Sequence, residues 1–342
     1  MKLRVGLIGL GRSWQQRHAP ILRALADRFE VRAICDQIAH RAEQAAREFN
    51  ARPVYGYRAL VKCEDVDAIL ILAPQWYGAL PVLAACDAGK AVYCAVALEI
   101  DAQQAEAIKR RVEESGIAFV AELPKRYSPA TLRLKELIAT HLGPPKIIFC
   151  HQRISVDRKQ QETQDPSEVD AARNAPMHRM IELVDWCRYV VGRDPDAVTG
   201  VAHASPAGPY KNDYEMISLR FPGGNDDQGE SVTAQISCGH YLPADWPEAI
   251  SFRRPAALQV VCEKGVAFVD LPSSMTWFDR AGRHLESLET DRPVGEQLFL
   301  QFFRAVTSLV QRSSDLKDAY EAMRIVLAGR KSQEKHGESV KL

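Results

Sequence analysis

The chain carries no net charge, no C-x-x-C pair, no internal repeat and no apolar run of membrane-spanning length, and each absence removes a class of protein. Its 342 residues hold 44 basic and 44 acidic side chains. No long basic run breaks that balance, so nothing recruits nucleic acid or an anionic membrane surface. The missing apolar stretch excludes a membrane-spanning helix. The N-terminus enters a strand directly, which argues against a signal peptide. Eight cysteines, at 35, 63, 86, 94, 150, 187, 238 and 262, are scattered and several sit inside apolar runs. They read as buried reduced thiols, not as a disulfide framework or a metal site. The expectation is a cytoplasmic protein, at a length that suits two domains.

What is present is concentrated at the start. Leu3-Arg-Val-Gly-Leu-Ile-Gly-Leu-Gly11 reads as an apolar strand running into a glycine turn. A helix from about Trp14 to Phe29 and a second strand, Glu30-Val-Arg-Ala-Ile-Cys-Asp36, follow. Gly9 and Gly11 let the backbone turn tightly and approach a pyrophosphate, and the helix N-terminus offers N–H groups and a positive dipole end. Asp36 stands where a carboxylate takes the hydroxyls of an adenine ribose. The third glycine of G-x-G-x-x-G is missing: Trp14 occupies it. Trp14 either shields the pyrophosphate or fills space left by a longer loop.

Strand and helix patterns alternate through residues 1–122, with continuous apolar strands such as Asp67–Ala73 and Ala91–Ala95. Such runs argue for a parallel sheet covered on both faces. Beyond Pro129 a helix over Ala130–His141 gives way to strand-like runs at Lys146–Ser155, Ala197–Ser205, Tyr214–Phe221, Ser231–His240, Ala257–Cys262 and Ala267–Leu271. These predict a mostly antiparallel sheet. Val156–Asn174 reads as a polar loop or lid, a helix covers about Pro176 to Val191, and two helical segments fill Gly295–Arg312 and Asp315–Lys335. The fold class is therefore α/β: a dinucleotide-binding Rossmann domain over 1–122 and an α+β domain over 123–342, with the last helices packing across the junction.

This ordered set resembles the glucose–fructose oxidoreductase / inositol dehydrogenase family (Gfo/Idh/MocA), essentially end to end. The resemblance rests on Val5–Gly11 with Arg17-His18, Ala33–Asp36 followed by Arg41-Ala-Glu43, Asp65–Pro74, Arg126-Tyr127 with Pro129, Asp185–Gly192 and Tyr320–Val340. It implies NAD(P) binding, hydride transfer on a sugar-like or cyclic polyol substrate, and a homodimer or homotetramer through the C-terminal sheet. It also exposes four departures. The family's Glu-Lys-Pro lysine, placed beside the nicotinamide and the substrate hydroxyl, falls in Ala95-Val96-Ala97, and the histidine after the fourth-strand proline falls on Gly78. The catalytic histidine falls on Glu182, three residues before the retained Asp185, and the loop between Gly11 and His18 is one residue longer.

Without that lysine, oxidation needs another base and another source of charge stabilisation. In Met177-His178-Arg-Met-Ile-Glu182-Leu-Val-Asp185, spacings of four and three put His178, Glu182 and Asp185 on one helical face. Glu182 is the candidate base, with Asp185 raising its pKa by repulsion, and His178 the alternative at neutral pH. The plain alternative is a solvated polar stripe. The same trio has the residue types of a metal site, but nothing else at ligand spacing supports one, so no metal is expected. Lys125 is a stand-in for the missing lysine or a surface charge. Trp76 and Tyr77, after Pro74, stack on substrate, cover the nicotinamide or simply pack. Asp36 favours NAD over NADP, since a carboxylate repels a 2′-phosphate, while Arg12 and Arg41 work against that preference. Three functions compete: an active dehydrogenase, a non-catalytic NAD-binding sensor or partner subunit, and an enzyme running elimination or epimerisation through a transient ketone.

Overall fold

The computed structural model describes residues 2–11, 13–73, 77–95, 102–156, 166–204, 212–223, 230–243, 245–288, 292–308 and 314–342. The chain divides into two compact units, one of residues 1–124 and 291–321, the other of 125–290 and 322–342. The division expected at 122/123 thus falls at 124/125, and a later segment returns to the first unit.

The first unit is built on a six-stranded parallel sheet. Its strands are β1 (Leu3–Ile8), β2 (Phe29–Cys35), β3 (Arg52–Pro53), β4 (Ala68–Ile71), β5 (Ala91–Cys94) and β6 (Phe119–Ala121), in the order β3-β2-β1-β4-β5-β6. The order reverses between β1 and β4, the switch point at which such sheets bind ligands. Helices α1 (Ala19–Ala24), α2 (Ala39–Glu48), α3 (Tyr57–Val61), α4 (Leu80–Asp87) and α5 (Ala102–Ser115) alternate with the strands. Every residue of β4 and β5 is buried, which is why those segments read as unbroken apolar runs.

The first helix is shorter than the sequence suggests. It ends at Ala24, and Phe29 opens β2 instead of closing the helix. Phe29 is drawn into the core by edge contacts with Phe299 and Phe303, at ring separations of 5.7 and 5.8 Å. The segment after the glycine loop, where the resemblance implies one extra residue, takes a definite form. Trp14–His18 forms a π turn, closed by the Ala19 N–H donating to the Trp14 carbonyl. An i→i+5 bond of this kind absorbs one inserted residue without breaking the helix.

In the second unit, α6 (Pro129–Leu137) leads into a nine-stranded sheet. Its members are β7 (Pro145–Val156), β8 (Ala197–His203), β9 (Tyr214–Phe221), β10 (Val232–Pro243), β11 (Leu258–Cys262), β12 (Val266–Asp270), β13 (Ser274–Asp279), β14 (Gly282–Ser287) and β15 (Val340–Lys341). They run in the order β14-β13-β12-β11-β7-β10-β9-β8-β15. All neighbours are antiparallel except β7 and β10 at the centre, which are parallel. Against these central strands lies α7, which spans Pro166–Val191. The helix therefore starts ten residues before Pro176, within the expected loop. Pro176 resembles a first-turn proline, but Glu168, Ala171, Ala172 and Arg173 are good helix formers that carry the helix upstream. The short α8 (Pro247–Ser251) follows β10.

Of the last helices, α9 (Val294–Thr307) belongs to the first unit, where Leu298, Phe299 and Phe302 are buried. Phe299 lies 4.8 Å from the ring of Tyr93 and 6.3 Å from that of His18. The final helix, α10 (Ser314–Glu334), ends in the second unit. There Gly329 approaches Gly200 of β8 so closely that a Cβ on Gly200 would lie 2.3 Å from the Gly329 carbonyl. Ser332 fixes the contact by accepting the Gly200 N–H at 2.9 Å.

Trp14 is 3% exposed and packs on Phe49 at 5.4 Å. Trp14→Ala is expected to lower the unfolding free energy by about 3–5 kcal/mol, the usual cost of emptying a site that size, as read by urea denaturation.

Candidate active site

The glycine turn of the first unit is held by its backbone. Gly9 and Gly11 have φ of +72° and +60°, values L side chains rarely adopt. A Cβ on Gly11 would also lie 2.9 Å from the Cβ of Ala73. The Gly9 N–H donates to the Cys35 carbonyl at 2.8 Å. Half-buried Asp36 accepts the Leu10 N–H at 2.8 Å through Oδ2 and the Ile38 N–H at 2.9 Å through Oδ1. The carboxylate is thereby fixed at the strand end, with lone pairs left for hydroxyl groups. No side chain caps the N-terminus of the Trp14–His18 turn, so its first N–H groups are not taken by a side-chain oxygen. Left-handed glycines, fixed carboxylate and uncapped turn fit a dinucleotide.

The other expected cofactor residues divide. Trp14 is a core residue packed on Phe49, and its Nε1 has no partner among the described residues. It fills space, and the reading in which it shields a pyrophosphate has no support. Arg41 is exposed in the first turn of α2. Arg12, Pro74 and Trp76 lie outside the described residues, as do Val96 and Ala97. Tyr77 packs edge-on against Tyr57 at 5.5 Å, with its hydroxyl 3.8 Å from Cys35 Sγ.

A polar cluster that the sequence did not single out sits beneath this sheet end. Arg17 is ion-paired with Glu122, which is 2% exposed, and His18 Nε2 lies 3.7 Å from the second carboxylate oxygen. Burial, aided by Arg17, lowers the His18 pKa to about 3, so the ring is neutral at ordinary pH. Only Arg17-His18 gave a signal for it.

The candidate catalytic residues meet within the second unit. Lys125 and Arg126 are consecutive in a single turn, Pro124–Tyr127, ahead of α6. Glu182 and Asp185 lie three apart on α7. The turn and the helix pair in register: Lys125 Nζ donates to Glu182 Oε2 at 2.9 Å, and Arg126 Nε donates to Asp185 Oδ2 at 2.6 Å. His178, one turn earlier, places Nε2 3.0 Å from Glu182 Oε1. Asp185 is 1% exposed and has a second cation, Arg188, at 3.7 Å. Behind the turn, the buried Trp186 donates Nε1–H to Thr131 Oγ1 at 2.9 Å, and the Thr131 hydroxyl is bonded to that of Ser128 at 2.8 Å.

This geometry reverses the expected electrostatics of Glu182. Asp185 cannot raise its pKa by repulsion, because Arg126 and Arg188 neutralise it. Burial works against the Glu182 charge, but the His178 hydrogen bond and the Lys125 ammonium outweigh it and hold the carboxyl well below its usual value of 4.5. Glu182 is an ionised anchor, too weak in this setting to act as a general base. The trio does not converge as a metal site, since its carboxylates are engaged separately. Among the described residues no group of three or more His, Cys, Asp or Glu could hold a metal ion. Helical spacing put His178, Glu182 and Asp185 on one face and the start of the second domain offered Lys125, but neither pointed to Arg126 or Arg188 as their partners.

Residues 3–122 match the family model described as the oxidoreductase family with an NAD-binding Rossmann fold, GFO_IDH_MocA. The chain resembles that family through this domain. It is similar to the 2,7-anhydro-N-acetylneuraminate hydratase of Mediterraneibacter gnavus, 24% identical over 189 residues, covering 54% of this chain and 48% of the relative. It is also similar to the inositol 2-dehydrogenase of Acidothermus cellulolyticus, 30% identical over 222 residues, covering 64% and 62%. Two further relatives are named as NADP(+)-dependent dehydrogenases. The chain thus spans about half to three-fifths of the length of the first curated relatives it matches. Among solved structures, the aldose-aldose oxidoreductase of Caulobacter crescentus superposes with a TM-score of 0.81 at 15% identity, over 100% of both chains. That likeness establishes the shared fold.

The depressed Glu182 pKa has a thermodynamic consequence. Above about pH 4.5 both folded and unfolded states carry the carboxylate; as pH falls below it, the unfolded chain takes up the proton first and stability is lost. Glu182→Gln is expected to show a shallower loss of unfolding free energy than wild type between about pH 5 and 3, measured by urea titration at each pH.

Proposed function

We propose that the protein is an NAD-dependent oxidoreductase that transfers hydride between a sugar-like or cyclic polyol and the nicotinamide, with Lys125 and His178 managing the substrate proton. The observation that carries this reading is the Lys125–Glu182–His178 chain, at 2.9 and 3.0 Å. It offers an ammonium and an imidazole in a chain whose sequence has Ala95-Val96-Ala97 for the usual lysine segment.

When bound, NAD supplies the hydride acceptor; the remaining tasks fall to the chain. Asp36 holds the ribose hydroxyls, and its charge favours NAD over its 2′-phosphorylated form. His178, with Nε2 3.0 Å from Glu182, is the group assigned to the hydroxyl proton. Lys125 stabilises the developing alkoxide, and Glu182 orients both groups without changing its own protonation. Similarity to an anhydro-sugar hydratase supports a variant in which the substrate is oxidised only transiently before an elimination. The loss of the lysine segment favours a second reading, a nucleotide-binding subunit without turnover.

A cross-strand row also bears on assembly. Ile147, Val261, Val266 and Phe278 are paired in register across β7, β11, β12 and β13, and so share one sheet face. Ile147 and Phe278 are 42% and 37% exposed there. We read this face as the contact between copies of the chain. Light scattering is expected to give a dimer or tetramer, and Ile147→Glu with Phe278→Glu a monomer; an unchanged mass overturns the reading.

Titration with NADH and NADPH, followed by a polyol panel, tests the proposed activity. NADH should bind more tightly than NADPH. Lys125→Met and His178→Asn should each lower kcat by about 10²–10⁴-fold while leaving NADH affinity unchanged. Saturable NADH binding with no turnover on any polyol would establish the second reading instead.

A further inference from the structure

Strand β7 outruns its neighbour. It spans Pro145–Val156, but β11 pairs with it only as far as Cys150, and the last link is the His151 N–H donating to the Ala257 carbonyl at 3.1 Å. Past that point a cavity of about 440 Å³ opens beside β7, bounded by α7 and by the segment leading into β11. Its volume lies within the range of about 300–1,000 Å³ that holds small ligands.

The charged groups of its wall are Lys125, Arg153, Arg254 and Asp270, with His151 beside them. Lys125 is already compensated by Glu182 at 2.9 Å. Asp270 accepts the Ala257 N–H at 3.2 Å, and its charge stands against the two arginines. Arg153 makes one long bond, Nη1 to the Phe252 carbonyl at 3.4 Å. Neither Arg153 nor Arg254 has an ion-pair partner among the described residues. His151 adds no charge at neutral pH: burial, with Arg153 nearby, holds its pKa below the ordinary value, and its Nδ1 lies 2.8 Å from Ser237 Oγ. Two guanidiniums against one carboxylate leave a surplus of one positive charge.

We propose that this cavity is a carboxylate subsite, and that the protein's substrate is an acidic sugar whose carboxylate is gripped by Arg153 and Arg254. A guanidinium presents paired N–H donors matched to the two oxygens of a carboxylate. A surplus of one charge suits a carboxylate; a dianionic phosphate would be only half neutralised. Lys125 joins the subsite to the catalytic cluster, since it lines the cavity and binds Glu182. The inference rests on the oxidoreductase reading for the word substrate, but the binding step can be measured without turnover.

Calorimetry on the full chain, with and without saturating NADH, would compare D-glucuronate, D-galacturonate and D-gluconate with D-glucose and glucose 6-phosphate. At least one acid should bind ten times more tightly than glucose, with a preference that shrinks as salt rises. Arg153→Gln with Arg254→Gln should remove that preference, the acid then binding no more tightly than glucose. Because Arg254 is exposed, Arg254→Gln alone folds and should weaken the acid at least threefold. Equal binding of acid and glucose, no acid binding in either condition, a preference for the phosphate, or a preference that survives in the variants overturns the subsite. Failure of NADH to bind, with the acid preference intact, would overturn the oxidoreductase reading alone.

Discussion

The pairing of Lys125 and Arg126 with Glu182 and Asp185 is the constraint on which the second unit's chemistry depends. Two adjacent cations on one turn meet two carboxylates three residues apart on a helix, so one contact cannot shift without the other. Asp185, 1% exposed, takes the role of fixed counter-charge. Removing either partner of a buried pair leaves an uncompensated charge, at a cost of about 3–5 kcal/mol. The Arg126–Asp185 pair therefore reads as the structural half. The Lys125–Glu182–His178 chain is less buried, its side chains 16%, 17% and 24% exposed.

The first unit shows the same division between scaffold and adjustable parts. Strand order, left-handed glycines and the fixed Asp36 carboxylate keep the dinucleotide architecture. The departures are absorbed locally. Residues Trp14–His18 form a π turn, and Trp14, at the third position of the glycine motif, packs inward on Phe49. The frame rests on buried strands such as β4 and β5.

Much of this was legible in the sequence, for physical reasons that also mark where reading stopped. Fully buried parallel strands announce themselves as apolar runs, and Tyr214–Phe221 alternates cleanly enough to fix both ends of β9. Strand β14 escaped because Gly282–Ser287 is mostly polar, and β13 because Phe278 breaks the alternation of Met275 and Trp277. The early start of α7 escaped because its first turns carry propensity without an apolar stripe. At the site, helical spacing brought His178, Glu182 and Asp185 to one face, but spacing within an element cannot say which cation arrives from another. Glu182, at the position of the resembling family's catalytic histidine, was expected to be a base whose pKa Asp185 would raise. Tertiary pairing gave Asp185 to Arg126 and Glu182 to Lys125, and the sign of the pKa shift reversed.

The account turns on Glu182 being an anchor and not a base, and its ionisation can be observed directly. A ¹³C-carboxyl NMR titration, with the Glu182 resonance assigned by its absence in Glu182→Gln, reports its protonation in the native protein. The account predicts an ionised shift that stays constant as pH falls from 8 through the usual glutamate value of 4.5. A midpoint at or above that value would contradict it, and would return Glu182 to the role of proton acceptor.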